Sequence, residues 1–303
     1  MSDITAMAVG SARGRAWRRF RRHPLALIGA GLLTILALSA LSAPLVEAAL
    51  GIDSNAVDLL NRFAPPSTEA WLGRDELGRD VFVRLLYGGQ VSLLVGVVTA
   101  LVAACIGTGI GLIAGYRGGI VDAILMRFTD SIIALPLLPL LIVLAALDLS
   151  KIGVPEAIAQ SEQVSLYRIV IIVALAGWTT SARLVRGAAL SLRERDFVAA
   201  ARAQGASALR IMFVHILPNL LSPIVVATTL SAGKVILMES VLSFLGLGIQ
   251  PPTSSWGNML TNAQQMIQSN PELALYPGVL IFLTVMAFNF IGDGLQDALD
   301  PKA

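Results

Sequence analysis

The chain has 303 residues, 55% hydrophobic and 14% charged, with a formal net charge of +2. Soluble domains carry about 45–50% apolar and about 25% charged residues, so this composition excludes an ordinary soluble globule and places the chain among membrane proteins. Near-balanced charge gives no support to nucleic-acid binding, and a single cysteine, Cys105, excludes an internal disulfide framework or a cysteine-built metal cluster.

The first element is SARGRAWRRFRRHPLALIGAG and the apolar run behind it. A basic stretch followed by an apolar one is how a signal peptide begins, but the run from Pro24 to about Val46 exceeds the roughly 7–15 residues of such a core, so it reads as an uncleaved first span. Further apolar runs cover about 90–115, 123–147, 166–190, 220–245 and 275–292. Each approaches the ~20 residues that a helix needs to cross about 30 Å of hydrocarbon. Six spans put both termini on one side of an all-α polytopic bundle. With the N-terminus inside, fourteen Lys and Arg fall in inner segments (six from Arg13 to Arg22, Arg117, six from Arg183 to Arg210, and Lys302), against six in outer ones. Basic residues stay cytoplasmic, so both termini are expected there.

Between the first two spans lies an outer segment, residues 51–87. Pro65 and Pro66 break it, and WLGRDELGRDVFVRLLYGG alternates charge with Val81, Phe82, Leu85 and Leu86. That pattern suits a helix lying flat at the membrane interface; a solvated loop is the plain alternative. In the second span Gly107, Gly111 and Gly115 share one helix face, where small residues let a neighbouring helix approach closely. Cys105, in the same run, reads as a small core residue. Pro136, Pro139 and Pro277 remove backbone donors and favour bends.

Charges within spans are few. Arg127 and Asp130 are three apart and are expected to pair on one helix face. Lys234 and Glu239 are five apart, do not share a face, and each needs another partner or an aqueous cavity. Asp130, Lys234 and Glu239 are therefore the candidates for a translocation path, with snorkelling at helix ends as the competing account.

DFVAAARAQGASALRIMFVHILPN, Asp196 to Asn219, interrupts the apolar pattern. Asp196 is placed to cap a short helix over Phe197–Gln204, Gly205 to break it, and Ser207 to cap a second one carrying Leu209, Met212, Phe213 and Ile216 at three-to-four-residue spacing before Pro218. By periodicity alone this is either a rigid protruding loop or a helix lying in lipid. A polar segment from Gly248 to Pro277, with Trp256 as an interfacial anchor, follows the fifth span.

The small residues Ala199, Ala200 and Ala201, then Gly205 six positions after the first and Leu217-Pro218 twelve beyond that, resemble the loop by which ABC importer permeases engage their ATPases. Two positions depart from that loop: Ala199 stands where the family has glutamate, and His215 where isoleucine is usual. WLGRDELGRDVFVRLLYGGQVSLLVG, HILPN, ESVLSFLGLGIQPPTSSWGNML and FNFIGDGLQDALDPK extend the resemblance over nearly the whole chain, to the C-type permease of dipeptide, oligopeptide and nickel importers. The resemblance implies a type I importer permease fold with a cytoplasmic coupling helix, a permease core over 88–297 behind a basic N-terminal region and first span (1–50), and a cytoplasmic tail at 298–303. It implies residence in a bacterial inner membrane. It further implies a homologous second permease, two cytoplasmic ATPases that hold ATP and Mg, and an extracytoplasmic solute-binding protein. No cofactor is expected on this chain. It has no G-x-x-x-x-G-K-[ST], H-E-x-x-H or G-x-S-x-G, which argues against an ATPase or a membrane hydrolase built on Ser231 or Ser243 with Lys234. An ATP-independent carrier or channel would more often show internal repeats and buried ion relays.

Overall fold

The computed structural model describes residues 14, 17–153, 155, 161–261 and 266–299. Arg13, Arg15, Lys302 and residues 300–303 of the expected tail lie outside them. The described residues form α1 (Pro24–Leu41), α2 (Ala43–Leu50), α3 (Val81–Arg117), α4 (Gly119–Ala134), α5 (Leu137–Ala146), α6 (Glu162–Arg193), α7 (Asp196–Ala203), α8 (Ala208–Phe244) and α9 (Glu272–Leu299). Five of these are long and apolar enough to cross a membrane, and α4 with α5, bent by 85°, makes a sixth span if counted as one. The bend falls at Pro136, whose fixed φ and missing N–H break the helical ladder.

Three spans differ from the sequence reading. α3 starts at Val81, not near 90, capped by the Asp80 carboxylate, which accepts from the Val83 amide at 2.8 Å. Its 37 residues span about 55 Å at 1.5 Å each, well beyond the hydrocarbon thickness, so its first turns stand in the distal cap. Val81 and Leu85 are accordingly buried there, and the expected flat amphipathic helix does not form. Residues 51–80 instead make a turn-rich cap in which Asp75 accepts from the Leu77 and Arg79 amides and Arg74 donates to the Gly78 carbonyl. α9 runs from Glu272 to Leu299, longer than the apolar run at both ends. α8 begins at Ala208 rather than 220.

Helix packing relies on missing side chains. A Cβ on Gly107, Gly111 or Gly115 would collide with the α6 backbone around Trp178, Ala182 and Arg186, so α3 and α6 touch backbone to backbone along this face. Asp122 on α4 receives two hydrogen bonds from Arg186 on α6, and Phe128 stacks on Trp178, fastening α4 beside them. Cys105 is exposed on α3, not a core residue; it lines an apolar groove of about 700 Å³ between α3 and α8.

Candidate functional site

The α6–α8 connection is built from three local devices. α7 has Arg195 at its cap position and Asp196 inside the first turn, where a carboxylate suits the positive end of the helix dipole; Asp196 is therefore not the cap. At its end Gly205 adopts φ +79°, and the Gly205 and Ala206 amides bond back to the Arg202 and Ala201 carbonyls at 3.0 and 3.1 Å. This double closure with a left-handed residue is the Schellman pattern. A Cβ at Gly205 would meet nothing within 4 Å, so backbone conformation rather than crowding demands the glycine. Ser207 then caps α8, its hydroxyl accepting from the Arg210 amide.

Pro218 does not stop the helix. Residues Ile211–Ile216 form a π turn in which the Leu217 amide reaches back five residues to the Met212 carbonyl. The wider turn accommodates a proline that has no amide to offer, and α8 continues to Phe244. Asn219 donates to the His215 carbonyl at 2.7 Å, satisfying it where the ladder is altered.

The alanine triplet divides. Ala201, with Val198 three positions earlier, is buried against Leu112 of α3, Val185 and Ala189 of α6, and Ile211, Met212 and Ile216 of α8. Ala199 and Ala200 face outward beside Phe197, Arg202 and Gln204. Leu209 and Phe213 are exposed and Leu217 half-buried, so the expected single apolar stripe on α8 is split between core and surface. Val198 was not singled out from sequence, although its three-residue offset from Ala201 is the signal of a shared face.

The path candidates separate. Asp130 pairs with Arg183 of α6 at 2.6 Å, not with Arg127, because α6 lies closer to its carboxylate than its own helix neighbour's side chain; both members stay half exposed. Lys234 is exposed on α8. Glu239, five residues on, is fully buried and enclosed by this chain alone. It accepts from the Ser243 hydroxyl at 2.7 Å and the Ser255 hydroxyl at 2.9 Å, with the Ser92 hydroxyl of α3 at 3.5 Å. Ser92 in turn accepts from the Trp256 amide at 3.1 Å, and the Trp256 ring nitrogen donates to the Leu85 carbonyl at 2.9 Å. Trp256, expected as an interfacial anchor, is 2% exposed and packs on Gly88 and Gly89 of α3. Glu239 thus fastens the strap after α8 (residues 245–261) to α3, and a buried carboxylate with three hydroxyl neighbours is satisfied without an aqueous route. Among the described residues no group of three or more His, Cys, Asp or Glu is placed to hold a metal ion.

Residues 107–303 match the family described as the binding-protein-dependent transport system inner membrane component. The chain belongs to this family. Residues 11–66 also match the N-terminal transmembrane domain of oligopeptide transport permease C. The dipeptide transport system permease protein DppC of Alkalihalophilus pseudofirmus is 42% identical over 287 residues, covering 95% of this chain and 89% of that protein. OppC, the oligopeptide transport system permease protein of Bacillus subtilis, is 38% identical over 95% of this chain and 88% of its own length. A glutathione transport system permease, GsiD of Pectobacterium atrosepticum, is 40% identical over 94% of this chain and 90% of that protein. The inward-facing MetNI methionine ABC transporter is similar in fold, with a TM-score of 0.54 and 20% identity, covering 71% of this chain and 96% of that one. The protein is therefore a multi-pass permease subunit of an ABC importer and not an enzyme. Such permeases work with a partner permease, ATPase and binding protein.

Proposed function

We propose that the imported solute is a di- or oligopeptide and that α7 is the coupling helix through which cytoplasmic ATPases drive transport. The relatives named for dipeptides and oligopeptides support the solute class. The carrying observation for coupling is the two-sided α7: Val198 and Ala201 anchor it to α3, α6 and α8, while Ala199, Ala200 and Phe197 offer a low, exposed face. In this reading two ATPases hold the ATP and Mg, a homologous second permease supplies the other half of the pathway, and an extracytoplasmic binding protein delivers the solute. Both termini face the cytoplasm of a bacterial cell, and the membrane is the inner one.

Closure of the ATPase pair carries α7 with its docking groove. The Schellman turn at Gly205 passes that displacement to α8, which opens the pathway on one side and closes it on the other. Such a shift needs contacts that differ between the two states. With Ala199 in place of an acid, the face docks by shape. On α8, Lys234, Leu237 and Val241 form an exposed strip at three-to-four-residue spacing. A lysine facing hydrocarbon costs about 2.5–3.5 kcal/mol, so this strip faces the partner permease across the pathway. Exposed Asp130 is the weaker path candidate, its charge already matched by Arg183.

Peptide uptake by the assembly reconstituted in vesicles tests both parts. Gly205→Pro, which has no amide to bond to Arg202 and a φ locked near −65°, abolishes ATP-driven uptake while the chain still inserts. Leu217→Asp, placing a charge at the edge of the anchoring cluster, does the same. Normal uptake by both variants would remove α7 from the coupling role; uptake of an unrelated solute with no peptide uptake would remove the peptide assignment alone.

A further inference from the structure

At the end of the bundle remote from α7, a pocket of about 250 Å³ lies between residues 75–84 and the strap that follows α8. Asp75, Glu76, Arg79 and Arg84 line one wall, Ile249, Asn258 and Leu273 part of the other. Asp75 is already engaged. One oxygen accepts from the Leu77 and Arg79 amides and the other from Arg79 Nε at 2.7 Å. Glu76 lies 3.7 Å from Arg79. Arg84 is the least fully bonded member, an ion-pair neighbour of Asp75 without a hydrogen bond to it. It is 3% exposed, its Nε has no hydrogen-bond partner, and it stands 3.4 Å from Asp75 without the geometry of a bond. Among the described residues its side chain makes one hydrogen bond, a long contact of 3.4 Å to the side-chain oxygen of Asn55. The polar groups opposite are occupied elsewhere: Asn258 donates to the Ile249 and Thr253 carbonyls, and Thr261 to that of Ser243.

A guanidinium offers five donors in a planar fork, and burying them unpaired is costly. A carboxylate matches that fork with two parallel bonds. We propose that this pocket is a binding site for a small carboxylate-bearing solute, with Arg84 as the group that recognises the carboxylate. The site is separate from α7 and does not depend on how coupling works or on the solute being a peptide. Arg79 and Asp75 hold the wall in place, and Arg84, at the start of α3, lines the cavity with a guanidinium that this chain leaves incompletely bonded.

The test is calorimetric titration of the assembled transporter in lipid nanodiscs with two probes of equal size, N-acetylglycine and the uncharged N-acetylglycinamide. The acid binds and the amide does not. Arg84→Met weakens the acid by about tenfold or more, the loss expected for a charge-assisted pair, and Arg84→Lys, which keeps charge without the fork, falls between. Leu273→Trp narrows the pocket without touching a charged group, so it decides the matter if Arg84→Met does not assemble: it too weakens the acid. Equal binding of acid and amide, or undiminished binding by Arg84→Met or by Leu273→Trp, overturns the proposal. Retained peptide uptake alongside lost acid binding separates a failure of this site from a failure of the importer reading.

Discussion

Replacing Gly111 with alanine adds one methyl group where α3 and α6 meet. Its Cβ would lie 2.9 Å from Val185 Cβ and 3.0 Å from the Arg186 nitrogen, and closer still to the Ala182 carbonyl oxygen. Non-bonded carbon atoms settle at about 3.5–4.0 Å, so the helices must part by roughly 1 Å. Tilting offers no relief, because Gly107 and Gly115 press on α6 one turn to either side. Overpacking of this kind costs about 1–3 kcal/mol, while an alanine in place of glycine returns about 1 kcal/mol of helix propensity. The expected net loss is about 0–2 kcal/mol, with a middle value near 1 kcal/mol that is a roughly fivefold shift in the unfolding equilibrium. Gly109 supplies the control: it lies on the same helix, and a Cβ there meets nothing within 4 Å. Gly109→Ala should be neutral or stabilising by up to about 1 kcal/mol. Unfolding of both variants by sodium dodecyl sulfate titration in mixed micelles, read by circular dichroism, measures the difference. Equal midpoints for the two would refute the account of α3–α6 contact given above.

Three further outcomes follow from the distal end. Glu239→Ala strands the Ser243 and Ser255 hydroxyls in a closed interior and should cost about 2–4 kcal/mol, whereas Glu239→Gln, which keeps an acceptor, should cost under about 1 kcal/mol; the same titration separates them. Asp80→Ala removes the cap of α3 and should cost about 1 kcal/mol with faster amide exchange at Val83, and Asp80→Asn should restore most of it. Burial alone would raise the Glu47 carboxyl, but hydrogen bonds from Tyr87 and from the Ser54 amide bring it below its usual value. A depressed carboxyl contributes stability above its unfolded pKa and loses it as pH falls through the folded one, so Glu47→Gln should flatten the acid limb of a stability-against-pH curve.

Much of the helical framework was legible because the bilayer imposes a length and a polarity on each span, and a run of apolar residues reports both. The glycine face of α3 and the turn at Gly205 were legible for a similar reason: each depends on local spacing or local backbone. What escaped the sequence depends on partners far along the chain. Arg84 reads as the polar side of an interfacial helix until Asp75, brought round by the turns at Gly73 and Gly78, hides it inside a cap. Glu239 reads as a charge in search of a pathway until Ser92, 147 residues away, and Ser255 close around it. The short helix before Pro218 reads as separate from the span after it because proline lacks the amide that a regular helix needs; the π turn before it changes the hydrogen-bond ladder over only six residues, and no composition signal marks it.

The 37 residues of α8 form one rod of about 55 Å, with the Schellman turn at one tip and the Glu239 fastening near the other. A single beam clamped at both tips leaves little slack between them. Changes at Gly205 and at Glu239 should therefore fail to add when combined, although the two residues share no neighbour, and evolution would have to adjust such positions as a pair.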